Sequence, residues 1–159
     1  MMNLKSNRFR LLRAPAVERL TGFSVSRIYS AMAEGMFPKP IKTGDNQVAW
    51  LSPEINAWVE ARLTHPNLAP DRLDYVKTVP GGKGMLRRAE VLRLTGKSTA
   101  SLYKDVKQGT FPAPVSLVNN TKVFIARDVF EWIQQRLNDR NRRLQQEEVQ
   151  SEQQQQLAS

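Results

Sequence analysis

Apolar positions along the chain alternate between helical spacing and short β-prone runs, and the same pattern occurs twice. A shift of 74 positions aligns residues 12–63 with residues 86–137 without a gap, and about a third of the aligned positions are identical. The identical positions include glycines, prolines and aromatic residues, whereas most polar residues between them differ. The pattern therefore predicts two copies of one structural unit that present different polar surfaces.

Each copy is predicted to start with two helices joined by a tight turn. In the first copy, apolar residues three positions apart predict a helix over residues 14–21, and Gly22 supplies the turn that ends it. Ser24 occupies the N-cap position of a second helix, which ends near Gly35. The Phe-Pro-x-Pro segment after it cannot continue a helix. The second copy repeats this arrangement from residue 88 onward.

A hairpin and a third helix complete each copy. The β-prone residues 41–43 and 47–51 flank a Gly-Asp-Asn turn, and residues 115–118 and 122–125 flank an Asn-Asn turn. The third helix of the first copy begins at Ser52, an N-cap residue followed by a proline and an acidic side chain. The predicted fold class is therefore mainly α with small β-hairpin wings, arranged as two tandem winged helix-turn-helix domains.

Composition predicts where the domains begin and end. We expect winged helix-turn-helix domains at residues 8–64 and 85–143, each with its own small core. Residues 65–84 hold three prolines and a glycine cluster, which predict a linker with a flexible joint, although residues 73–76 are candidates for local packing. The Gln-rich tail, residues 144–159, is predicted either to extend the last helix and fray or to be disordered.

Several motifs recur at the same spacing in both copies. They are a Leu-Arg opening, a Leu-Thr-Gly turn, a Ser-x-x-x-Ile/Leu-Tyr helix, a Gly-x-Phe-Pro-x-Pro segment and a tryptophan in the third helix. With these motifs each copy resembles the AlpA-type regulators of phages and prophages, which are related to excisionase and MerR-like winged helix-turn-helix domains. The resemblance covers the two repeats and leaves out the linker and the tail.

The resemblance implies a regulator of a mobile element that acts on transcription or as an excisionase-like accessory factor. Its implied partners are double-stranded DNA and, among proteins, an integrase or RNA polymerase. We expect one chain to act as a monomeric pseudo-dimer, with a dimer through the C-terminal helix as the alternative. A protein-interaction adaptor that uses the same fold is the rival hypothesis from another functional class.

Charge and composition support a polyanionic partner. The formal net charge is +9, and the second copy (+7 over residues 85–143) is more basic than the first (+3 over residues 8–63), while the tail carries −3. The chain has no cysteine and a single histidine, and it has no long apolar run. We therefore expect no catalytic site, no metal, no cofactor and no membrane contact, and a cytoplasmic protein. The resemblance implies a bacterial, nucleoid-associated location.

The second helix of each copy carries the candidate base-reading residues. If Ile28 and Met32 face inward, helical geometry turns Ser26, Arg27 and Ser30 outward. The equivalent positions in the second copy are Ala100, Ser101 and Lys104. Arg27 is the best candidate for direct readout, because a guanidinium grips guanine through two parallel hydrogen bonds. A solvated helix face is the alternative interpretation.

Further candidates for DNA contact lie at helix N-termini, late in the second helix and on the hairpins: Ser24, Lys42, Thr43, Gln47, Ser98, Thr99, Lys107, Asn120 and Lys122. Capping alone explains Ser24 and Ser98, although a helix N-terminus is also a phosphate site. Turn chemistry alone explains Asn120. We therefore weight Lys42 and Lys122 above the other hairpin residues.

Aromatic residues recur at three pairs of equivalent positions: Tyr29 and Tyr103, Phe37 and Phe111, and Trp58 and Trp132. One interpretation is a set of stacking platforms for single-stranded bases. Because the same residues recur at positions that define the fold, we predict instead that they belong to the core.

Overall fold

The computed structural model describes residues 8–64, 73 and 75–158. The first copy consists of β1 (Leu11–Leu12), α1 (Ala14–Thr21), α2 (Val25–Ala33), β2 (Ile41–Gly44), β3 (Gln47–Leu51) and α3 (Ser52–Thr64). The second consists of β4 (Met85–Leu86), α4 (Arg88–Thr95), α5 (Thr99–Gln108), β5 (Val115–Ser116), a short 3-10 turn (Val118–Asn120), β6 (Lys122–Ile125) and α6 (Ala126–Leu157). The predicted fold class, two tandem winged helix-turn-helix repeats, is confirmed.

Each repeat contains a small antiparallel sheet of three strands. The strand orders are β1-β3-β2 and β4-β6-β5, so the first strand of each copy adds to the predicted hairpin. In the first sheet Leu12 pairs with Trp50, and in the second Leu86 pairs with Phe124. The sequence did not predict these first strands, because two residues are too few to show an alternating pattern. β5 is also shorter than the predicted strand at residues 115–118.

A tryptophan closes the helix-turn-helix of each repeat. The rings of Trp58 and Phe37 have centroids 4.9 Å apart, and the indole N–H of Trp58 donates to the carbonyl of Met36 over 3.0 Å. Trp132 repeats both contacts, with Phe111 at 4.9 Å and with the carbonyl of the residue before Phe111 at 2.7 Å. The two phenylalanines and Trp132 are buried and Trp58 is half-buried, so their predicted place in the core is confirmed.

The sheet of the first repeat is apolar on both faces. Leu12 and Trp50 pack into the core of the first repeat. Their neighbours Leu11, Ile41 and Leu51 belong instead to a cluster that contains the core residues of the second repeat. Adjacent residues of a strand point to opposite faces, so a continuous apolar run buries both. Two core clusters are present, as predicted, but they do not divide cleanly between the repeats, because the first sheet contributes to both.

The described part of the linker packs along α6. Val79 is buried, and its backbone N–H donates to the Gln134 side chain over 2.8 Å. The backbone of Gly82 lies so close to α6 that a Cβ there would sit 2.5 Å from the Phe130 ring and 2.6 Å from the carbonyl oxygen of Ala126. The predicted flexible joint is therefore wrong at Gly82, while residues 65–72 and 74 of the predicted linker lie outside the described residues.

The C-terminal tail is helical. α6 runs without a break from Ala126 to Leu157, which is 32 residues, and Glu147 on this helix pairs with Lys39 of the first repeat at 2.9 Å. The structure therefore places the tail in the last helix as far as Leu157. None of the helices in the described residues combines the length and apolarity needed to cross a membrane.

Candidate nucleic-acid interface

A threonine hydroxyl shapes the turn between the first two helices of each repeat. Thr21 donates to the carbonyl of Val17 over 2.8 Å and accepts from the backbone N–H of Phe23 over 3.2 Å. Thr95 makes the equivalent two bonds in the second repeat, at 2.8 and 3.3 Å. The following glycine has a positive φ of 75° or 72°. These contacts set the angle at which the second helix leaves the turn, and the sequence pattern marked this threonine only as part of a repeated motif.

Serine caps begin both second helices. The hydroxyl of Ser24 accepts from the backbone N–H of Arg27 over 3.2 Å, and that of Ser98 accepts from the backbone N–H of Ser101 over 3.1 Å. The structural explanation for both serines is therefore confirmed. Each bond satisfies one backbone N–H in the first turn of its helix, and that turn remains exposed.

The outward face of α2 carries the predicted polar residues. Ile28 is buried, whereas Ser26, Arg27 and Ser30 are exposed. The guanidinium of Arg27 lies 5.7 Å from the ring centroid of Phe23, in cation-π geometry. This contact places the guanidinium near the N-terminal end of α2, and the Arg27 side chain remains exposed to solvent.

Tyrosine also faces outward on both second helices, contrary to prediction. Tyr29 is 46% exposed and Tyr103 is 41% exposed, so neither is a core residue. Tyr29 touches Trp50 edge-on, with centroids 6.3 Å apart, and the rest of its ring is open to solvent. A tyrosine buries one edge and exposes the other, and sequence position alone does not separate this arrangement from full burial.

The outward face of α5 is partly covered by the first repeat. Thr99, Lys104 and Lys107 are exposed, as predicted for residues on this helix. Ser101 is half-buried, because its hydroxyl lies 3.1 Å from Nε2 and 3.2 Å from Oε1 of Gln47, at the start of β3. The hairpin wing of the first repeat therefore contacts the second helix of the other repeat.

Thr43 is a correction to the predicted set. Its side chain is buried, 2% exposed, and its hydroxyl has no hydrogen-bond partner among the described residues. The residue points toward the second repeat because β2 alternates: Ile41 and Thr43 face inward and Lys42 faces solvent. Thr43 is therefore removed from the DNA-contact candidates, and Lys42 is retained.

A buried lysine that the sequence did not single out holds this contact in place. The ammonium of Lys97 donates to the carbonyl of Thr43 and to the carboxylate of Asp105, both over 2.6 Å, and lies 5.4 Å from the Trp132 ring centroid. Its side chain is 0% exposed, so it is not available to a phosphate. The first repeat has Phe23 at the same position, and no local pattern marks a lysine as a buried anchor.

A groove of about 580 Å³ lies between the first wing, α5 and α6. Four basic residues line it, Lys42, Lys104, Arg136 and Arg143, together with the acidic residues Asp45, Asp105 and Asp139. Lys42 on the wing of the first repeat and Lys104 on the second helix of the second repeat therefore lie on the same surface.

The second wing is shaped by its turn. Asn119 and Asn120 have positive φ angles of 61° and 60°, a conformation that asparagine tolerates better than most residues. Asn120 and Lys122 are both exposed. Backbone geometry therefore explains the asparagines, and Lys122 remains the stronger candidate on this wing.

The model of the family described as Prophage CP4-57 regulatory protein (AlpA) matches the chain twice, over residues 10–63 and 84–137. The chain belongs to the AlpA family. The two matches coincide with the two winged helix-turn-helix repeats and confirm the resemblance found in the sequence.

The chain also has a curated relative, the uncharacterized protein ORF88 of Enterobacteria phage P4. It is 43% identical to this chain over 54 residues, which are 34% of this chain and 61% of the phage protein. The chain therefore spans less than two thirds of the length of this relative. No solved structure matches the chain.

Polar and basic side chains are exposed on the second helix of each AlpA repeat. In the described part of the chain, no group of three or more histidine, cysteine or acidic side chains is placed to hold a metal ion. The outward faces of α2 and α5 instead offer hydroxyls, a guanidinium and ammonium groups. Such groups suit hydrogen bonding to base edges and charge pairing with phosphates.

Proposed function

We propose that this AlpA-family protein binds specific double-stranded DNA and regulates a mobile element, with α2 and α5 each entering a major groove. The observation that carries the proposal is the repeated geometry of these helices. Each begins at a serine cap after a glycine turn and exposes polar or basic residues along its outward face. An exposed second helix of a helix-turn-helix is the element that reads bases.

The first repeat is suited to base recognition. Arg27 is exposed, and its guanidinium lies 5.7 Å from the ring centroid of Phe23, near the N-terminal end of α2. A planar guanidinium matches the O6 and N7 acceptors of guanine, and the neighbouring Ser26 and Ser30 are short enough to allow close approach. We assign sequence preference mainly to this repeat.

The second repeat is suited to backbone anchoring. Ala100 offers no polar group, and Ser101 is hydrogen-bonded to Gln47. Lys104 is an exposed point charge that lines the same groove as Lys42 of the first wing. Point charges suit phosphates more than base edges, so we assign affinity and salt dependence mainly to this repeat and to the first wing.

A salt titration of DNA binding tests the proposal. Phosphate contacts release counterions, so the logarithm of the binding constant should fall linearly with the logarithm of salt concentration, with a slope of about −0.9 per contact. Absence of any DNA affinity at low salt would favour the adaptor hypothesis. Genome-wide mapping of bound sites then separates the two regulatory roles, because promoters indicate transcription control with RNA polymerase and attachment sites indicate excision with an integrase.

A further inference from the structure

The two repeats are joined through unlike surfaces, which we call the sheet face and the helix face. The sheet face belongs to the first repeat and consists of Leu11, Ile41 and Thr43. The helix face belongs to the second repeat and consists of Leu94 and Leu137. All five residues are at most 9% exposed. The contact is therefore head-to-tail, because the two repeats contribute different surfaces.

The second repeat has its own copy of the sheet face, whose central residue Val123 is 4% exposed while three residues on its outer strands are much more exposed. The residues 74 positions after Leu11, Ile41 and Thr43 are Met85, Val115 and Leu117. Their exposed fractions are 58%, 38% and 42%, against 2%, 0% and 2% in the first repeat. All three are apolar, and within residues 8–64, 73 and 75–158 no surface buries them as the helix face buries their counterparts.

The first repeat has its own copy of the helix face, which is also uncovered. Leu20 is 44% exposed, whereas its equivalent in the second repeat, Leu94, is 9% exposed. Leu63 is 75% exposed, whereas its equivalent Leu137 is fully buried. The backbone differs in the same way. A Cβ added at Gly96 would meet the side chain of Arg13 at 2.8 Å, whereas the equivalent Gly22 faces open space.

From this pair of uncovered surfaces we infer that a second copy of the chain docks head-to-tail, with the free sheet face of one molecule on the free helix face of the next. The occupant follows from the contact inside the chain, where the same two surfaces already bind each other. Contiguous exposed apolar residues mark an interaction surface. A heterologous contact leaves one free face at each end, so it generates an open array instead of a closed dimer.

The contact between molecules lacks the polar anchors of the contact within one chain. Phe23 stands where the second repeat has Lys97, so the bond to the opposing strand carbonyl is absent. Asp128 stands where the first repeat has Glu54, but it lies beside Arg127 at 3.8 Å instead of pairing across the contact. The array is therefore weak in free solution, and it strengthens wherever molecules are held next to one another.

The inference is tested without DNA, so it stands or falls independently of the proposed function. Leu117→Glu blocks the free sheet face and Leu63→Glu blocks the free helix face. Val149→Glu is the matched control, because Val149 is 49% exposed on α6 and belongs to neither face. Thermal melting of each variant checks that it folds, and Met85→Glu and Leu20→Glu serve as second variants of the two faces.

Sedimentation velocity up to about 1 mM protein supplies the measurement. The unmodified chain and Val149→Glu should sediment faster as concentration rises. Leu117→Glu and Leu63→Glu should each remain monomeric alone, and an equimolar mixture of the two should form a dimer and nothing larger. A monomeric unmodified chain over the whole range, or a mixture that stays monomeric, would overturn the inference. Loss of association in Val149→Glu alone would place the contact in the C-terminal helix and overturn it as well.

Discussion

Arg140 and Glu54 are 86 residues apart in the sequence and form an ion pair in which each side chain is 2% exposed. Nη2 of the arginine donates to Oε2 of the glutamate over 2.8 Å, and Nη1 donates both to Oε1 and to the carbonyl of Lys39. The guanidinium also lies 4.6 Å from the ring centroid of Tyr75. The third helix of the first repeat, the end of the linker and α6 therefore meet at one charged contact.

Arg140→Met should lower the free energy of unfolding by about 3–5 kcal/mol, because it leaves the Glu54 carboxylate buried without its partner. Arg142→Met is the control, since Arg142 pairs with Asp139 at the surface and its loss should change stability by less than about 0.5 kcal/mol. Urea denaturation of both variants measures the difference. Equal stability of the two variants would show that the buried pair does not hold the repeats together.

Gly96→Ala should destabilise the protein more than Gly22→Ala. Both glycines have a positive φ near 75°, so the backbone strain of an alanine, about 1–2 kcal/mol, is common to both variants. Only at Gly96 does the new Cβ also meet Arg13 and the carbonyl oxygen of Leu11, at 2.8 and 3.2 Å. Thermal denaturation compares them, and a Gly22→Ala variant that is equally or more destabilised would contradict the close approach of the two repeats.

The protein should lose stability at alkaline pH as the hydroxyl of Tyr75 ionises. Burial raises the pKa of Tyr75 above its ordinary value near 10, and the backbone N–H of Lys39 and the charge of Arg140 offset this only in part. Because the pKa of Tyr75 is higher in the folded state, its contribution to the free energy of unfolding is complete below about pH 10. This contribution is lost as pH rises through the folded pKa. The difference in free energy of unfolding between the unmodified chain and Tyr75→Phe should therefore shrink from pH 9 to pH 11. A difference that stays constant over this range would contradict the raised pKa of Tyr75.

Arg27→Ala should weaken binding to the preferred DNA site by about 1–3 kcal/mol and flatten the preference at one or two base pairs. Because the arginine is assigned to a base edge, the salt slope should change little. Fluorescence anisotropy on preferred and scrambled duplexes at several salt concentrations measures both quantities. An unchanged base preference together with a reduced slope would assign Arg27 to a phosphate.

Lys104→Ala should weaken binding to all sequences alike and reduce the salt slope by about one unit, since a lysine that pairs with a phosphate releases about one counterion. Lys97→Met is not a suitable comparison, because Lys97 is buried between the repeats. Lys83→Ala is the better control: it removes an exposed linker lysine that lies outside both second helices. A change of base preference in Lys104→Ala would reverse the roles assigned to the two repeats.

The elements of each AlpA repeat follow from local signals in the sequence. The glycine turns, the serine caps and the proline after α2 act within a few residues of their own position, so the positions of α1, α2, α4 and α5 were predictable. The internal repeat added a second, independent observation of each signal. The exposure of Ser26, Arg27 and Ser30 was predictable for the same reason, because outward positions on a helix follow from its inward ones.

The packing of one repeat on the other was not predicted, because it depends on contacts between distant parts of the chain. In the sequence, Lys97 and Arg140 look like any solvent-exposed basic residue. They are buried because the folded chain places their hydrogen-bond partners next to them. One signal was present: Ala49, Trp50 and Leu51 form an unbroken apolar run where a half-exposed strand would alternate. That run indicates a sheet covered on both faces, and it explains why Thr43 turned out to be buried.

The two-faced sheet of the first repeat has a consequence during synthesis on the ribosome. Leu11, Ile41 and Leu51 are made 43 to 126 residues before Leu94 and Leu137 of the helix face, which is a delay of roughly 2 to 25 seconds at about 5–20 residues per second. Throughout that interval the nascent first repeat carries an uncovered hydrophobic sheet, the kind of surface that chaperones bind and that promotes aggregation. Ribosome-bound chains stalled between the repeats are therefore expected to recruit chaperones that bind exposed apolar surface, and release of these chaperones should coincide with emergence of α6.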